Sequence, residues 1–303
     1  MNYSDSNIQE FDLKELFRFY IKLWPRFLLS LLILCPVFLG LSYFFPKEYK
    51  SDIILSALGD EQSFASSILS NSPLSGISNL SGFDLSSNPK LDQAVTILNS
   101  RIIIKKLLEE KSHYRQEIFA AERFDRNTLK TIFDKNLYDS TTNKWVRNIP
   151  NKDSIPSDFE VYQKIKESLI ISVNSKNDFI YISFTHVNPL FASEFLETFV
   201  RTTDSYFRKK DIADFIALEI QLVDSLSHAS HSFLRDSMNK LLELNMKKLF
   251  LAKTKKQYIF EILDPAITPE IHFFPNKLVF LLLGLFFGIS IFFLYATFKF
   301  YYK

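Results

Sequence analysis

Glycine is scarce in this sequence: the chain has six among 303 residues, and none lies between Phe83 and Leu283. Glycine most readily adopts the positive φ angles of tight turns, so this gap favours long helices over many hairpins. It also excludes glycine-rich phosphate-binding loops from the middle of the chain. No GxxxxGKS/T, GxGxxG or GxSxG motif occurs, which argues against nucleotide-dependent catalysis and against a nucleophile elbow.

The sequence is equally poor in other features that chemical sites need. Cys35 is the only cysteine, so no disulfide can form within the chain. The formal net charge is +2 and the basic residues are dispersed, which gives no electrostatic footprint for nucleic acid. His228 and His231 are three residues apart without a third Cys or His ligand, and we interpret them as a solvated polar patch. We predict no enzyme, no catalytic residue, no metal and no cofactor.

Long uncharged runs lie near both ends of the chain. Residues 27–45 contain no charge for 19 positions and residues 278–298 contain none for 21. A helix that crosses about 30 Å of hydrocarbon needs roughly 20 residues, so both runs are predicted transmembrane helices. The first is too long for a signal peptide and is followed by Phe44-Phe45-Pro46-Lys47, which offers no small-residue cleavage site. We interpret it as an uncleaved anchor.

The flanking charges predict the orientation of the chain in a bacterial inner membrane. Cytoplasmic flanks are rich in Lys and Arg, and the outer flanks of the two runs carry Lys14, Arg18, Lys22, Arg26, Lys299 and Lys303. We therefore expect the tails 1–26 and 299–303 to be cytoplasmic. The intervening residues 46–277 form the periplasmic domain, which is large enough for a core of its own.

Helical periodicity dominates the second half of this domain. No proline occurs between Leu190 and Asp264, and from Asp211 onward apolar residues recur at helical spacing. We predict one helix over about 211–257, on the order of 70 Å long, which projects beyond a compact domain. Two shorter helices are predicted at Lys90–Lys111 and at Asn188–Arg208, because Asn-Pro signals lie near their starts.

The predicted long helix carries an apolar stripe that is wider than a two-residue seam. Such a stripe indicates contacts on two sides, one within the subunit and one with a neighbouring copy of the chain. We therefore expect a homo-oligomer with coiled-coil-like helix contacts. The candidate contact residues are Ile212, Phe215, Ile216, Ile220, Leu222 and Val223.

Four short segments rich in β-branched and aromatic residues predict strands, and the class is α+β. They are Tyr49–Leu58, Leu169–Val173, Phe179–Thr185 and Tyr258–Leu263. Because the first and last abut the apolar runs, we expect one small mixed sheet close to the membrane. A Ser- and Asn-rich segment, 61–89, predicts a flexible loop, and residues 112–158 give no clear order.

One lysine cluster has two interpretations. Lys247, Lys248, Lys253, Lys255 and Lys256 follow one another closely. Such a cluster is typical of a solvated helix face, and the alternative is contact with anionic lipid headgroups or anionic glycan.

The ends of the chain resemble those of chain-length determinant proteins, the polysaccharide co-polymerases. The resemblance rests on Asp264-Pro265-Ala266 through Pro269, on Pro275-Asn276-Lys277 before the second run, and on Gly284 and Gly288 within it. On the N-terminal side it includes the Ser-rich stretch 71–82 and the predicted helix that follows. It covers residues 11–110 and 186–300. It implies rings of protomers in the inner membrane, long periplasmic helices and control of O-antigen or related polysaccharide length.

The junction residues also have a physical interpretation. Pro269 and Pro275 stiffen the connection into the second run, and Gly284 and Gly288 form a small-xxx-small face that permits close helix packing. Family members with a fused cytoplasmic tyrosine kinase continue past this run. Because this sequence ends at Tyr301-Tyr302-Lys303, we expect the kinase-free type.

The resulting hypothesis is a non-enzymatic regulator of polysaccharide chain length. It acts as an oligomeric scaffold beside a membrane polysaccharide polymerase, and lipid-linked polysaccharide is a further candidate partner. The main alternative is an inner-membrane component of a capsule polysaccharide export complex. A transmembrane sensor is less favoured because the predicted tails leave little room for an output element, and an extracytoplasmic hydrolase is least favoured because no acid/base pair stands out.

Overall fold

The structure, a computed structural model, describes residues 21, 23–57, 95–174, 177, 179–228 and 231–301. The chain divides into two compact units. We call Met1–Lys47 with Phe273–Lys303 the helical unit, and Glu48–His272 the sheet unit. The predicted loop 61–89 and four flanking basic residues, Lys14, Arg18, Lys22 and Lys303, lie outside the described residues.

The elements follow one another in an α+β order, which confirms the predicted class. The helices are α1 (Trp24–Leu41), α2 (Arg101–Glu110), α3 (Tyr114–Ala120), α4 (Asp158–Ser168), α5 (Pro189–His228), α6 (Ser232–Thr254) and α7 (Lys277–Tyr301). The strands are β1 (Tyr49–Ala57), β2 (Ala121–Asp125), β3 (Lys130–Phe133), β4 (Tyr138–Asp139), β5 (Lys144–Trp145), β6 (Leu169–Asn174), β7 (Phe179–His186) and β8 (Phe260–Asp264).

The helical unit pairs α1 with α7. Trp24–Phe44 has a mean hydropathy of 2.3 and Lys277–Lys299 has 2.6, so both segments are long and apolar enough to cross a membrane. The two helices are antiparallel, because Gly284 lies beside Cys35 while the ring of Phe292 contacts that of Phe27 nearer the start of α1. Two such apolar helices are compatible with an inner-membrane protein, whereas the orientation and the tails stay predictions.

The main sheet has the order β6-β7-β1-β8, and every neighbouring pair is antiparallel. The prediction of a mixed sheet was therefore wrong. The reason is the position of β1. Strands β7 and β8 run in the same direction, but β1 lies between them, so no parallel pair forms.

The core lies on one face of this sheet. Inward-facing residues alternate along β1 and β7, with Ile53, Leu55, Ile182 and Phe184 buried. The first half of α5 covers this face, and the rings of Phe184 and Phe195 stack with their centroids 4.0 Å apart. Helices α2, α3 and α4 complete the same core.

Helix α5 corrects the predicted helix boundaries. It begins where predicted, because the Asn188 side chain accepts hydrogen bonds from the backbone N–H groups of Leu190 and Phe191. It then continues through 208–211, where no proline or glycine interrupts it and Asp204 pairs with Arg208 one turn on. It ends at His228, so the continuous helix predicted over 211–257 was wrong.

Near the end of α5, Ser227 Oγ and His228 Nδ1 both bond to the carbonyl oxygen of Asp224. Helix α6 then starts after His231, which has extended backbone angles. A similar break divides the predicted helix Lys90–Lys111, because Ser100 caps the start of α2 through the N–H of Ile102.

Two small hairpins, β2–β3 and β4–β5, occupy the segment that the sequence left unordered. Their turns form without glycine: Leu129 and Asn143 each adopt a φ of 53°. Aspartate side chains stabilise these turns, and Thr141 and Thr142 donate hydrogen bonds to Asp139. These bonds lower the pKa of Asp139 to about 2. The scarcity of glycine correctly indicated a long helix, α5. It did not indicate these hairpins, whose turns form without glycine.

A polar cluster joins the end of β7 to α3. The backbone N–H of Asn188 donates to His186 Nδ1 at 3.1 Å, so this nitrogen carries no proton. The neutral ring therefore donates through Nε2 to the carbonyl oxygen of Glu117 at 2.9 Å. Burial lowers the pKa of His186 to about 4 and raises that of the Glu117 carboxyl.

We expect His186 to make stability depend on pH. Its pKa rises to about 6.5 on unfolding, so the unfolded chain binds more protons as the pH falls from 6.5 towards 4. This linkage lowers the free energy of unfolding by about 2 kcal/mol as the pH falls from about 7 to about 5. The His186→Gln side chain cannot be protonated, so we expect this part of the pH dependence to disappear. Denaturant titrations at both pH values measure the free energy of unfolding of each protein.

Both proteins keep Glu117, whose raised pKa acts in the opposite direction, so the comparison isolates the histidine. Equal pH dependence in wild type and variant contradicts the assignment.

Candidate self-association surface

Helices α5 and α6 form an antiparallel hairpin. The side chain of Asn245 donates to the carbonyl oxygen of Phe215 at 2.7 Å. Nearer the sheet end, Arg208 donates to the carbonyl oxygen of Lys256 at 2.9 Å. These two contacts fix the direction and the register of the helices.

The facing sides of the hairpin carry apolar residues and one buried amide. Leu222 is buried against α6, and Ala252 and Asn245 are buried on α6 itself. Asn245 Oδ1 has no hydrogen-bond partner among the described residues. A single buried Asn between helices disfavours shifted registers, in which its amide loses its partner. The contact with Phe215 therefore specifies this pairing.

A second apolar surface of the hairpin faces away from this contact. On α5, Ile216, Ile220 and Val223 recur at i, i+4 and i+7, and Ile220 is 65% exposed. On α6, Met246 and Phe250 are four residues apart and also exposed. We call these five residues the exposed stripe.

Helix geometry places both parts of the exposed stripe on one side. Phe215 and Asn245 face each other, and Ile216 and Met246 are each one position further along their helices. In antiparallel helices this equal step turns both side chains to the same side of the hairpin. The stripe exposes on the order of 500 Å² of apolar surface, the upper end of what a monomeric soluble protein carries.

The structure divides the six predicted contact residues into two groups. Ile212, Phe215 and Leu222 lie towards α6 of the same chain and are buried or half-buried. Ile216, Ile220 and Val223 are exposed. The sequence missed Met246 and Phe250 because it treated α5 and α6 as one helix. Their i, i+4 spacing was the available signal, and contact with a second chain stays a prediction for all of them.

Basic residues gather where the hairpin meets the sheet. Arg208 on α5 is level with Lys256, so Lys209 and Lys210 lie near the end of α6, where Lys253 is in the last turn and Lys255 follows the helix. Lysines in the last turn also stabilise a helix through its macrodipole. Lys247, Lys248 and Lys255 have further interactions, so the cluster is partly structural.

The junction residues fall in both units. Pro269 is half-buried in the sheet unit, whereas Pro275 is buried in the helical unit. A Cβ atom on Gly284 would lie 3.0 Å from Cys35 Cα and 3.2 Å from the carbonyl oxygen of Leu34. One on Gly288 would lie 2.8 Å from Leu31 Cδ2. Both glycines therefore permit the close approach of α7 to α1, and any role in assembly stays a prediction.

Within the described ranges, no group of three His, Cys, Asp or Glu side chains gathers at metal-binding distance. His228 bonds to Ser227 and to the carbonyl oxygen of Asp224. The geometry of the hairpin thus offers a surface for protein contact, and the chemistry of that surface is apolar burial.

Comparison with known proteins adds a distant similarity of fold. One solved structure, a full-length bacterial polysaccharide co-polymerase, matches 92% of this chain and 96% of that chain with 11% identity and a TM-score of 0.39. No protein-family model matches the chain, and no curated protein matches it. A similarity at this level assigns neither family nor function, so the functional inference rests on the residues themselves.

We expect Ile220→Glu to weaken self-association. A carboxylate in the centre of the exposed stripe must lose its hydration when a second chain covers it, which costs several kcal/mol. Gln221→Glu introduces the same charge at the neighbouring position of α5 and serves as the control. Light scattering of the purified full chain in mild detergent should show smaller particles for Ile220→Glu alone. If the particle size is unchanged in both variants, the chains do not associate through the exposed stripe.

We also expect Gly284→Ala to destabilise the helical unit. The new methyl group meets backbone atoms of α1, which cannot move as a side chain can, and such overpacking costs about 1–3 kcal/mol. Gly40→Ala is the matched control, because a Cβ atom there meets nothing within 4 Å. Thermal unfolding in detergent should separate the two, and equal midpoints argue against close packing at Gly284.

Proposed function

We propose that this protein is a non-enzymatic regulator of surface-polysaccharide chain length. It acts as a homo-oligomeric scaffold in the bacterial inner membrane, beside a membrane polysaccharide polymerase. The observation that carries the proposal is the exposed stripe on the α5–α6 hairpin, in a chain that has a membrane-length apolar helix near each end.

The apolar helices support the membrane part of the proposal. With α1 and α7 in the bilayer and both tails in the cytoplasm, the sheet unit lies in the periplasm, where surface polysaccharides are polymerised. Both ends of the domain are then held at the same membrane surface. This arrangement restricts the protomers to two dimensions and so raises the effective concentration at which their hairpins meet.

The exposed stripe supports the oligomeric part. It lies on one side of the hairpin. Two copies can pair these stripes through a twofold axis, or the stripe of one chain can contact a different surface of the next chain. The second, head-to-tail contact closes into a ring when a whole number of copies completes a full rotation. A ring presents several identical surfaces to one polymerase or to one growing polymer.

The resemblance of the chain ends to co-polymerases supports the choice of process. The Pro- and Gly-containing junction from Asp264 to Gly288 carries that resemblance. The alternative, a component of a capsule export complex, shares the two apolar helices and the helical hairpin. The two functions differ in what remains when the protein is absent.

We expect deletion of the gene to change the length distribution of the surface polysaccharide and not its presence. A gel of the polysaccharide should lose its modal band cluster and regain it when the wild-type gene is restored at matched expression. Gln221→Glu should restore the modal cluster and Ile220→Glu should not, because only the latter disrupts the exposed stripe. Complete loss of polymer on deletion indicates export, and an unchanged profile refutes both functions.

A further inference from the structure

An open cleft lies beside the start of α4, away from the hairpin. The segment 151–160, which includes the first turn of α4, lines this open cleft together with Arg115 of α3, and the volume of the cleft is about 1030 Å³. Its walls include Asn151, Lys152, Ile155, Asp158 and Phe159. Ligand clefts in proteins reach about this size, so the space accommodates a segment of several small rings.

A buried arginine makes the wall of the cleft rigid. The side chain of Arg147 is 2% exposed, and its guanidinium donates to the carbonyl oxygens of Asp153, Ser154 and Ile155. It also pairs with Glu160 at 2.9 Å. A wall held in one conformation before binding loses little conformational freedom when a ligand arrives.

The start of α4 adds to this preorganisation. Ser157 and Glu160 form a capping box, in which each side chain bonds to the backbone N–H of the other residue. The hydrogen bonds from Arg147 and Lys152 hold the pKa of the Glu160 carboxyl well below its usual range. The Glu160 carboxylate therefore stays ionised at physiological pH.

The charges that line the cleft are paired. Arg115 lies 2.6 Å from Asp158, and Lys152 lies 2.7 Å from Glu160. Paired charges exert little net attraction on a phosphate or another anion. They still offer hydrogen-bond donors and acceptors close together, which is the pattern that hydroxyl groups satisfy because each hydroxyl both donates and accepts.

An aromatic ring and an aliphatic side chain flank these polar groups. Phe159 is 49% exposed and Ile155 is 55% exposed. The guanidinium of Arg101 lies 5.1 Å from the centroid of the Phe159 ring and so fixes its position. A sugar ring matches this combination, because its C–H face packs on apolar surface while its hydroxyls bond at the rim.

We propose that this cleft binds an uncharged segment of a polysaccharide. The proposal rests on the proposed function and deepens it by naming where the polymer contacts the protein. Because the cleft is open and not an enclosed pocket, it admits an internal segment and does not need a chain end. Each protomer of an oligomer then contributes one contact along a growing polymer.

The test is direct binding by the purified full chain in detergent. The probe is the surface polysaccharide of the cells that carry the gene, freed of lipid by mild acid and fractionated by size. Calorimetry is run at low salt and at about 1 M salt, where screening acts over about 3 Å. We expect similar affinity in both, since the recognition depends on hydroxyl groups and apolar packing.

We expect Phe159→Ala to weaken binding about tenfold, which corresponds to about 1.4 kcal/mol, because the ring supplies apolar surface for the sugar. Phe233→Ala removes an even more exposed ring near the start of α6 and should leave affinity unchanged. A second cleft variant, Ile155→Ser, should weaken binding as well, and circular dichroism checks that each variant is folded. No binding by wild type, equal binding by the cleft variants, or binding abolished by salt overturns the proposal.

The two proposals fail in different ways. If the wild-type gene restores the modal polysaccharide distribution and the purified protein binds no polymer, the cleft assignment is wrong and the scaffold stands. If deletion leaves the distribution unchanged while Phe159→Ala weakens binding, the chain-length function is wrong and the cleft stands.

Discussion

The sheet unit depends on the packing of the first half of α5 against the inner faces of β1 and β7. The stacked rings of Phe184 and Phe195 lie at the centre of this contact, and the neighbouring Phe191 and Phe199 are also buried. Burial of one such side chain contributes about 1.5–3 kcal/mol. Since domains are stable by only about 5–15 kcal/mol, this aromatic cluster is a large part of what holds the fold together.

The same helix links the core to the rest of the sheet unit. Asp204 on α5 accepts hydrogen bonds from the backbone N–H groups of Tyr258 and Ile259, which lead into β8. Tyr258 in turn donates to Asp211 at 2.7 Å. The edge strand β8 is therefore positioned from both sides, by pairing with β1 and by polar contacts to α5. The hairpin cannot shift along its axis without disturbing these contacts.

The sequence predicted the strands and the start of α5 better than the helix ends, and the reason is physical. Strands such as Tyr49–Ala57 alternate between buried and more exposed residues, and Asn188-Pro189 is a strong local start signal. The break between α5 and α6 lies next to His231, whose extended backbone no periodicity reveals. Strand order depends on contacts between distant segments. The turns at Leu129 and Asn143 use conformations that composition alone assigns to glycine.

The candidate site was predictable to a similar degree. Ile216, Ile220 and Val223 stood out by spacing, but their separation from Phe215 and Leu222 required the position of α6. The cleft was not predictable. Its wall comes from a segment without periodicity, and its rigidity comes from one buried side chain, Arg147, whose partners are mostly backbone oxygens.

The continuity of α5 has a mechanical consequence. Its first half is clamped by the aromatic core up to Phe207, and its second half carries part of the exposed stripe. The segment from Phe207 to His228, which packs against α6, is about 30 Å long at 1.5 Å per residue. A helix without proline or glycine bends little. A tilt of a few degrees about Phe207 therefore moves His228, at the end of the helix, by more than an ångström. Repacking of the core therefore produces a larger displacement at the exposed stripe of the hairpin.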